Sequence, residues 1–551
     1  MGTVLGFAPG RRNFLKGSLA GAAALLSSSG RATRGISSQP VVTTRTGKLQ
    51  GSRSGLTFVF KGIPYGAPTA GNRFLPPRPA GAWSGTREAL QYGALAVQGT
   101  RFDREYNRML GGLFPPEVND TSHSTIGSEE CLFLNVWTSE LGCDAKLPVM
   151  VWLHPGALSA WSGNALWTEG SNLAAKHGVV VVSLNHRLNI FGHLYLGELG
   201  GAKYAESGNV GLMDIVAALQ WIQDNIGEFG GDAGNVTLFG QSGGASKVSL
   251  LLAMPPASGL FHKAIAMSGS AVRCRKPEMA TRNTLEILRR LGINRHRLNE
   301  LAQVPAPKLY AALAGSAVGA VAAGASLPCQ PFVPDAPIFT AKVPMMIGTT
   351  HDELTYPPSD RPLPTVDFGG VRHSILATFP GVEESVATRA IDGYRTLHPG
   401  KSWHETYIGV ATGVFRDDVM IQAETKAKQG QAPVFMYQFT WTSPAFPEYG
   451  SSHCFDVPFA FDNVDAAPQL YGADPDPRRY MLAEKMSKAW ANFARSSNPN
   501  HPGLPHWDSY TVKRRATMII NYDCGLVNDP QSEDRKLFES IRSERLEAWW
   551  K

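Results

Sequence analysis

Short apolar runs recur along the chain at residues 132–137, 149–153, 179–184, 236–239, 264–267, 344–347 and 434–439, separated by stretches of helical periodicity. Runs that are apolar at every position suit strands buried on both faces, because neither face meets water. The clearest helix is expected over residues 212–226, where Leu212, Ile215, Val216, Leu219, Ile222 and Ile226 share one face. Residues 47–65 are β-rich, whereas the proline- and glycine-rich residues 74–83 are expected to be irregular, since proline cannot donate to a ladder. Strands alternating with helices predict an α/β protein whose mostly parallel sheet is covered on both sides. A site in such a sheet lies at the strands' C-terminal ends.

One region departs from this rhythm. Residues 281–301 read as helical, and residues 311–326 form an Ala/Gly/Val-rich tract with few charges. Its glycines and brevity argue against a membrane span, and a packed cap helix beside the site is expected there. With no internal repeat and no clear domain break, residues 41–551 are expected to form one domain with a cap segment around residues 275–340.

The strand pattern of residues 236–239 runs straight into Gly240-Gln241-Ser242-Gly243-Gly244, and a helical pattern begins at Ala245. Gly-x-Ser-x-Gly in this setting holds a serine on a strained turn, with glycines where side chains would collide with neighbouring backbone. The turn exposes the Ser242 hydroxyl to an incoming carbonyl and aims the Gly243 N–H at the oxygen that becomes negative. In a chain with 57 glycines the pattern alone is weak, and its context and partners decide. A second strand, residues 149–153, ends in His154-Pro155-Gly156-Ala157, whose Gly156 and Ala157 N–H groups are expected to be further oxyanion donors.

A serine hydroxyl is too weak an acid to attack unaided. An imidazole must take its proton, and a carboxylate must hold that imidazole in the correct tautomer. Glu353 follows the run at 344–347 and His453 follows the run at 434–439, so the order Ser242, Glu353, His453 is that expected for such a sheet. Asp352 and His351 compete with Glu353, and His453 is one of 14 histidines.

Composition narrows the classes. The 551 residues are 43% hydrophobic and 18% charged, as in an ordinary globular protein. A net charge of +6 without a basic stripe argues against nucleic acid. Six scattered cysteines without a Cys-x-x-Cys pair suggest neither a disulfide scaffold nor a metal site, and no cofactor is expected. Gly10-Arg11-Arg12-Asn13-Phe14-Leu15-Lys16 and the short apolar run after it resemble a twin-arginine export signal over residues 1–32, followed by a polar linker at 33–40. A general secretory signal or a chance basic terminus is the alternative. Either signal implies a periplasmic or secreted protein.

Further segments carry a resemblance. Phe60-Lys61-Gly62-Ile63-Pro64-Tyr65, Glu130-Cys131-Leu132-Phe133-Leu134-Asn135-Val136, Asn185-His186-Arg187-Leu188, Gly208-Asn209-Val210-Gly211-Leu212-Met213-Asp214, Phe229-Gly230-Gly231-Asp232 and Ala489-Trp490-Ala491-Asn492-Phe493-Ala494 stand in order around the elbow. Together they resemble a type-B carboxylesterase of the cholinesterase-like group. The resemblance implies the α/β-hydrolase fold, with a central sheet flanked by helices and helical cap insertions. It also implies a Ser-Glu-His triad at Ser242, Glu353 and His453.

The chain departs from that family where Gln241 and Gly243 replace the usual Glu and Ala, and where His154-Pro155-Gly156-Ala157-Leu158 replaces His-Gly-Gly-Gly-Phe. Gln241 removes a negative charge that the cholinesterases use for a cationic substrate. Only Phe102, Tyr106 and Phe114 occur where their cation-binding tryptophan would fall. Choline esters are therefore disfavoured. The family's partner for Cys131 would fall near Ala96, so that disulfide is not expected.

A serine hydrolase acting on small-molecule carboxylic esters is the expected function. The same machinery acting on carbamates or aryl amides is one alternative, an apolar-mouthed polyester-degrading enzyme another, and a non-catalytic recognition protein of the same fold a third.

Overall fold

The structure is a computed structural model that describes residues 39–99, 110–111, 125–355, 367–379, 381–472 and 476–548. The expected signal at 1–32, most of the linker, and Phe102, Tyr106 and Phe114 lie outside the described residues. Its main sheet is built from β1 (Ser52–Ser54), β2 (Thr57–Pro64), β3 (Phe133–Thr138), β4 (Leu147–Leu153), β5 (Val180–Leu184), β6 (Gly231–Gln241), β7 (Lys263–Met267), β8 (Met345–Thr350), β9 (Val434–Phe439), β10 (Ala516–Ile520) and β11 (Gly525–Asn528). Their spatial order is β11-β10-β9-β8-β7-β6-β4-β5-β3-β2-β1. Neighbours from β5 through β10 run parallel, and the pairs at the two edges are antiparallel.

The apolar runs became strands because both faces of the sheet are covered. In β4, Val149, Val151 and Leu153 enter one core, and Met150 and Trp152 enter the other. That split is the two-residue period of a strand meeting two packed layers. On the first face lies α1 (Val210–Asn225), which buries Leu212, Ile215, Leu219 and Ile222 as its periodicity predicts, with Val216 partly buried. On the second lies the later helix Arg478–Ser496, with Trp490 and Met486 against Trp152 and Phe239 of the sheet. Each such large apolar side chain contributes about 1.5–3 kcal/mol by leaving water.

Predicted strand boundaries shift by a residue or a few. The largest change is in β6, which begins at Gly231 because a register shift between Gly231 and Val236 lets polar residues join the ladder. β10 and β11 were not expected, since a short Ala-Thr-Met-Ile-Ile run after Lys513-Arg514-Arg515 carries little strand signal.

The cap helix expected at 311–326 is corrected by the structure. A helix covers Ala306–Ala311, and the tract beyond it is irregular, with left-handed φ of 83° at Gly315 and 72° at Gly324. It is held instead by extended pairing of Val321 with Arg275 and by the Asn209 side chain, which donates to Val321 O. The helix expected at 281–301 stops earlier. It spans Pro277–Leu291, starting on Pro277 and ending at Gly292 with φ 71°, the pair of residues that suits a helix start and stop. Among the described residues no helix is long and apolar enough to cross a membrane.

Candidate active site

Ser242 sits between β6 and α2 (Gly243–Leu252) with φ 55° and ψ −122°, a conformation an L-residue adopts only under strain of roughly 1–3 kcal/mol. Its N–H donates to Met267 O at 2.9 Å, which pins the turn to β7. The elbow glycines are required by space. A Cβ on Gly240 would lie 2.6 Å from Gly244 backbone, and one on Gly244 only 1.9 Å from Leu153 O. A Cβ on Gly243 would lie 2.2 Å from Ala157 N and 2.3 Å from Ala157 Cα. The elbow and the loop after β4 are thus in backbone contact.

That loop carries the other sequence-predicted donors. Gly156 has φ 87° and Ala157 φ 55°. The Gly156 carbonyl accepts from Ser159 and Ala160, so the loop is a tight turn. Among the described residues the N–H groups of Gly156 and Ala157 donate to no acceptor. Gly243 is the first residue of α2, so its N–H has no partner within the helix. The structure therefore gathers Gly156, Ala157, Gly243 and Ser242 in one place.

Glu353 and His453 are also brought together. Glu353 is fully buried. Its Oε1 accepts from Thr350 N–H at 2.8 Å, its own N–H donates to Thr412 Oγ1 at 3.0 Å, and its Oε2 meets His453 Nδ1. Nδ1–H then donates to the carboxylate, and the lone pair is left on Nε2. Phe415 packs edge-on against the imidazole at 5.7 Å. The competitors are engaged elsewhere: His351 Nδ1 pairs with Asp352 Oδ1 at 3.0 Å, and Asp352 Oδ2 accepts from Ser451 N–H at 2.9 Å. Asp352 thereby ties the loop bearing Glu353 to the loop bearing His453.

His453 Nε2 accepts from the Gln241 amide at 3.2 Å, and Cys454 Sγ–H donates to Gln241 Oε1 at 3.2 Å, which orients that amide. Among the described residues no hydrogen bond joins Ser242 Oγ to His453 Nε2. Such bonds are often long before substrate is bound. Burial, with Asp456 and Glu353 nearby, holds the Cys454 thiol well above its usual range, so Cys454 is a packed side chain and not a nucleophile. Burial and the charge of Glu353 push Asp456 up to about 7, and Tyr437 donates to its Oδ2 at 3.0 Å.

The sequence reading missed a buried basic cluster beneath the loop after β4. Lys247 of α2 is fully buried, and its Nζ donates to His154 O at 3.0 Å. Burial pushes the ammonium well below its usual range. His154 stacks on His186 at 5.1 Å, and His193 lies near His186. Each donates Nδ1–H to a backbone carbonyl, leaving an unpartnered Nε2, and burial keeps all three well below the usual imidazole range. The one signal in the sequence was Lys247 standing directly before the mainly apolar Val248–Leu252. Among the described residues no group of three or more His, Cys, Asp or Glu side chains is arranged to hold a metal ion, and all six cysteines are unpaired.

Comparison with known proteins agrees with this architecture. Residues 38–538 match the model of the carboxylesterase family. The chain is 33% identical to para-nitrobenzyl esterase of Bacillus subtilis over 91% of this chain and 99% of that protein. It is 31% identical to human cocaine esterase, over 86% of each. Among solved structures it resembles a Geobacillus stearothermophilus carboxylesterase at a TM-score of 0.78 and 34% identity, covering 90% of this chain and 99% of that one. It also resembles a Clostridium hathewayi esterase able to hydrolyse aliphatic aromatic polyesters, at a TM-score of 0.73 and 31% identity, covering 91% and 98%. Sheet, elbow and relatives agree, and the chain belongs to the carboxylesterase family as a carboxylic-ester hydrolase of the α/β-hydrolase fold.

Proposed function

We propose that Ser242 is the nucleophile of a serine esterase, with His453 as its general base and Glu353 as the carboxylate that orients His453. The observation that carries this reading is the buried Glu353–His453 pair beside a serine on a strained strand-to-helix turn. In the proposed reaction His453 Nε2 takes the Ser242 proton as Oγ attacks the ester carbonyl. The Gly156, Ala157 and Gly243 N–H groups receive the oxyanion, each donor contributing roughly a hundred- to a thousandfold in rate. His453 then protonates the leaving alcohol and activates the water that clears the acyl-enzyme.

For this to run, Nε2 must exchange the Gln241 amide for the serine hydroxyl, a movement of one hydrogen bond. Purified protein mixed with a chromogenic aryl ester is expected to release a burst of alcohol that Ser242→Ala abolishes. Equal inertness of both proteins, together with no labelling of Ser242 by an organophosphate, would refute the mechanism. The substrates are proposed to be small carboxylic esters. Export through the twin-arginine route is proposed from residues 10–16 alone, and replacing Arg11 and Arg12 by Lys is expected to leave the protein in the cytoplasm on fractionation. Unchanged export would reject that route.

A further inference from the structure

Beside the elbow lies a cavity of about 270 Å³. One wall is Ala157 and Leu158 of the oxyanion loop, and another is Ser246 and Leu250 of α2. Ser246 N–H donates to Ser242 O at 3.0 Å, so the cavity begins one helical turn from the candidate nucleophile. Arg273 and Arg275 form a further wall, from the segment that follows β7.

Arg275 is held in position by its backbone: its N–H donates to Ala320 O and its carbonyl accepts from Ala322, each at 2.9 Å. Its side chain lies along the loop. A Cβ added to Gly319 would sit 3.5 Å from Arg275 Nε and 3.9 Å from Leu158 Cδ1, so guanidinium and loop flank the same point. Among the described residues no carboxylate pairs with Arg275. The carboxylate that lines the cavity, Asp418, is engaged by Arg545 at 2.7 Å. Arg273 is engaged as well, by Leu546 O.

A partly buried guanidinium without a counterion is costly, and burial lowers its pKa accordingly. Its planar fork of N–H donors matches a carboxylate better than any other common group. Ser159, Ser246 and Ser270 line the same space, with the Ser246 hydroxyl donating to Ser270 O at 3.0 Å.

We propose that this cavity is a carboxylate-binding subsite, in which Arg275 receives a free acid group on an ester whose scissile carbonyl lies at Ser242. The preferred substrates are then carboxylate-bearing esters: half-esters of dicarboxylic acids, or esters of carboxylated alcohols. This rests on Ser242 being the nucleophile.

The test compares matched esters. The 4-nitrophenyl monoester of adipic acid is set against 4-nitrophenyl hexanoate for a charge on the acid side, and 4-acetoxybenzoate against its neutral benzamide for a charge on the alcohol side. The wild type is expected to prefer one charged member by about tenfold in kcat/KM, the scale of a charge-assisted pair. Arg275→Gln should lose that preference while keeping its rate on the neutral ester, and Arg275→Lys should keep part of it. Binding of the adipic acid monoamide to Ser242→Ala, with and without Arg275→Gln, reads the subsite in the absence of chemistry. No preference in either pair, a preference that survives Arg275→Gln, or monoamide binding indifferent to Arg275 would overturn the subsite. A wild type that hydrolyses none of the four esters and whose Ser242 is not labelled by an organophosphate, while Ser242→Ala still binds the monoamide through Arg275, would instead overturn the nucleophile assignment.

Discussion

Gly243 and Ala157 occupy one space. A methyl group at position 243 would fall on the Ala157 backbone, so Gly243→Ala must push the loop after β4, which carries the proposed oxyanion donors, outward. A displacement of about 1 Å at reacting atoms costs about a hundredfold. The variant is expected to fold, to retain KM within a few-fold and to lose kcat on that scale, read by steady-state kinetics beside a thermal melt. Unchanged kcat would show that the loop absorbs the methyl group. Asp456 offers a residue-scale test in stability. Burial and Glu353 raise its folded pKa from 3.8 to about 7, so the folded state holds a proton that the unfolded chain has released. Its favourable contribution is complete below the unfolded value and is lost as pH rises through about 7. Asp456→Asn should therefore gain stability over the wild type as pH rises from about 4 to about 8, by an order of 2–4 kcal/mol. Parallel urea titrations at the two pH values check this, and a constant difference between the proteins would reject it. Ser242 was legible at this scale on its elbow, whereas Glu353 and His453 each follow a strand run but stood among Asp352, His351 and the other histidines as competitors. Gln241 facing His453 was not legible, since its side chain could have pointed to either side of the elbow.

At the scale of elements, α2 does two things at once. Its N-terminus presents Gly243, and one turn later Lys247 reaches across to the His154 carbonyl where the loop of Gly156 and Ala157 departs from β4. An ammonium fully buried with one hydrogen bond destabilises the fold, whereas its tether fixes the loop. Lys247→Met, which keeps the length and removes the polar end, is expected to raise stability by about 1–2 kcal/mol and lower kcat roughly tenfold. Denaturant unfolding and turnover, measured on the same preparation, decide it. A less stable variant with normal kcat would mean that Lys247 is a structural group and not a brace. The strands and α1 were readable because their periodicity is set by two covered faces. The tract at 311–326 was misread because Ala and Val favour helix only where the backbone stays right-handed, and Gly315 and Gly324 take φ values of 83° and 72°.

Across the whole molecule the desolvated histidines contribute to the acid sensitivity of the fold. Desolvation lowers His154 and His186 well below 6.5 and brings His193 and His177 to about 4. The unfolded chain takes up protons below about 6.5 that the folded state refuses. The stability these groups permit is thus complete above 6.5 and falls as pH drops toward 4, against the opposite contributions of the buried carboxyls Asp456, Asp418 and Asp462, which burial raises. The urea midpoint is expected to be lower at about pH 4.5 than at about pH 7, and a midpoint equal or higher at the acidic value would contradict the burial-driven shifts. The sequence by itself determined the layered α/β architecture and the elbow, and offered Glu353 and His453 only among competitors, because strand period, helix period and turn chemistry are local properties of neighbouring residues. Only the tertiary structure decided that Glu353 and not Asp352 meets His453, that Ala157 rests on Gly243, and that Arg275 faces a cavity with no carboxylate paired to it among the described residues. Those contacts join segments that are distant in the chain, and their distances and burial exist only once the sheet has brought its strand ends together.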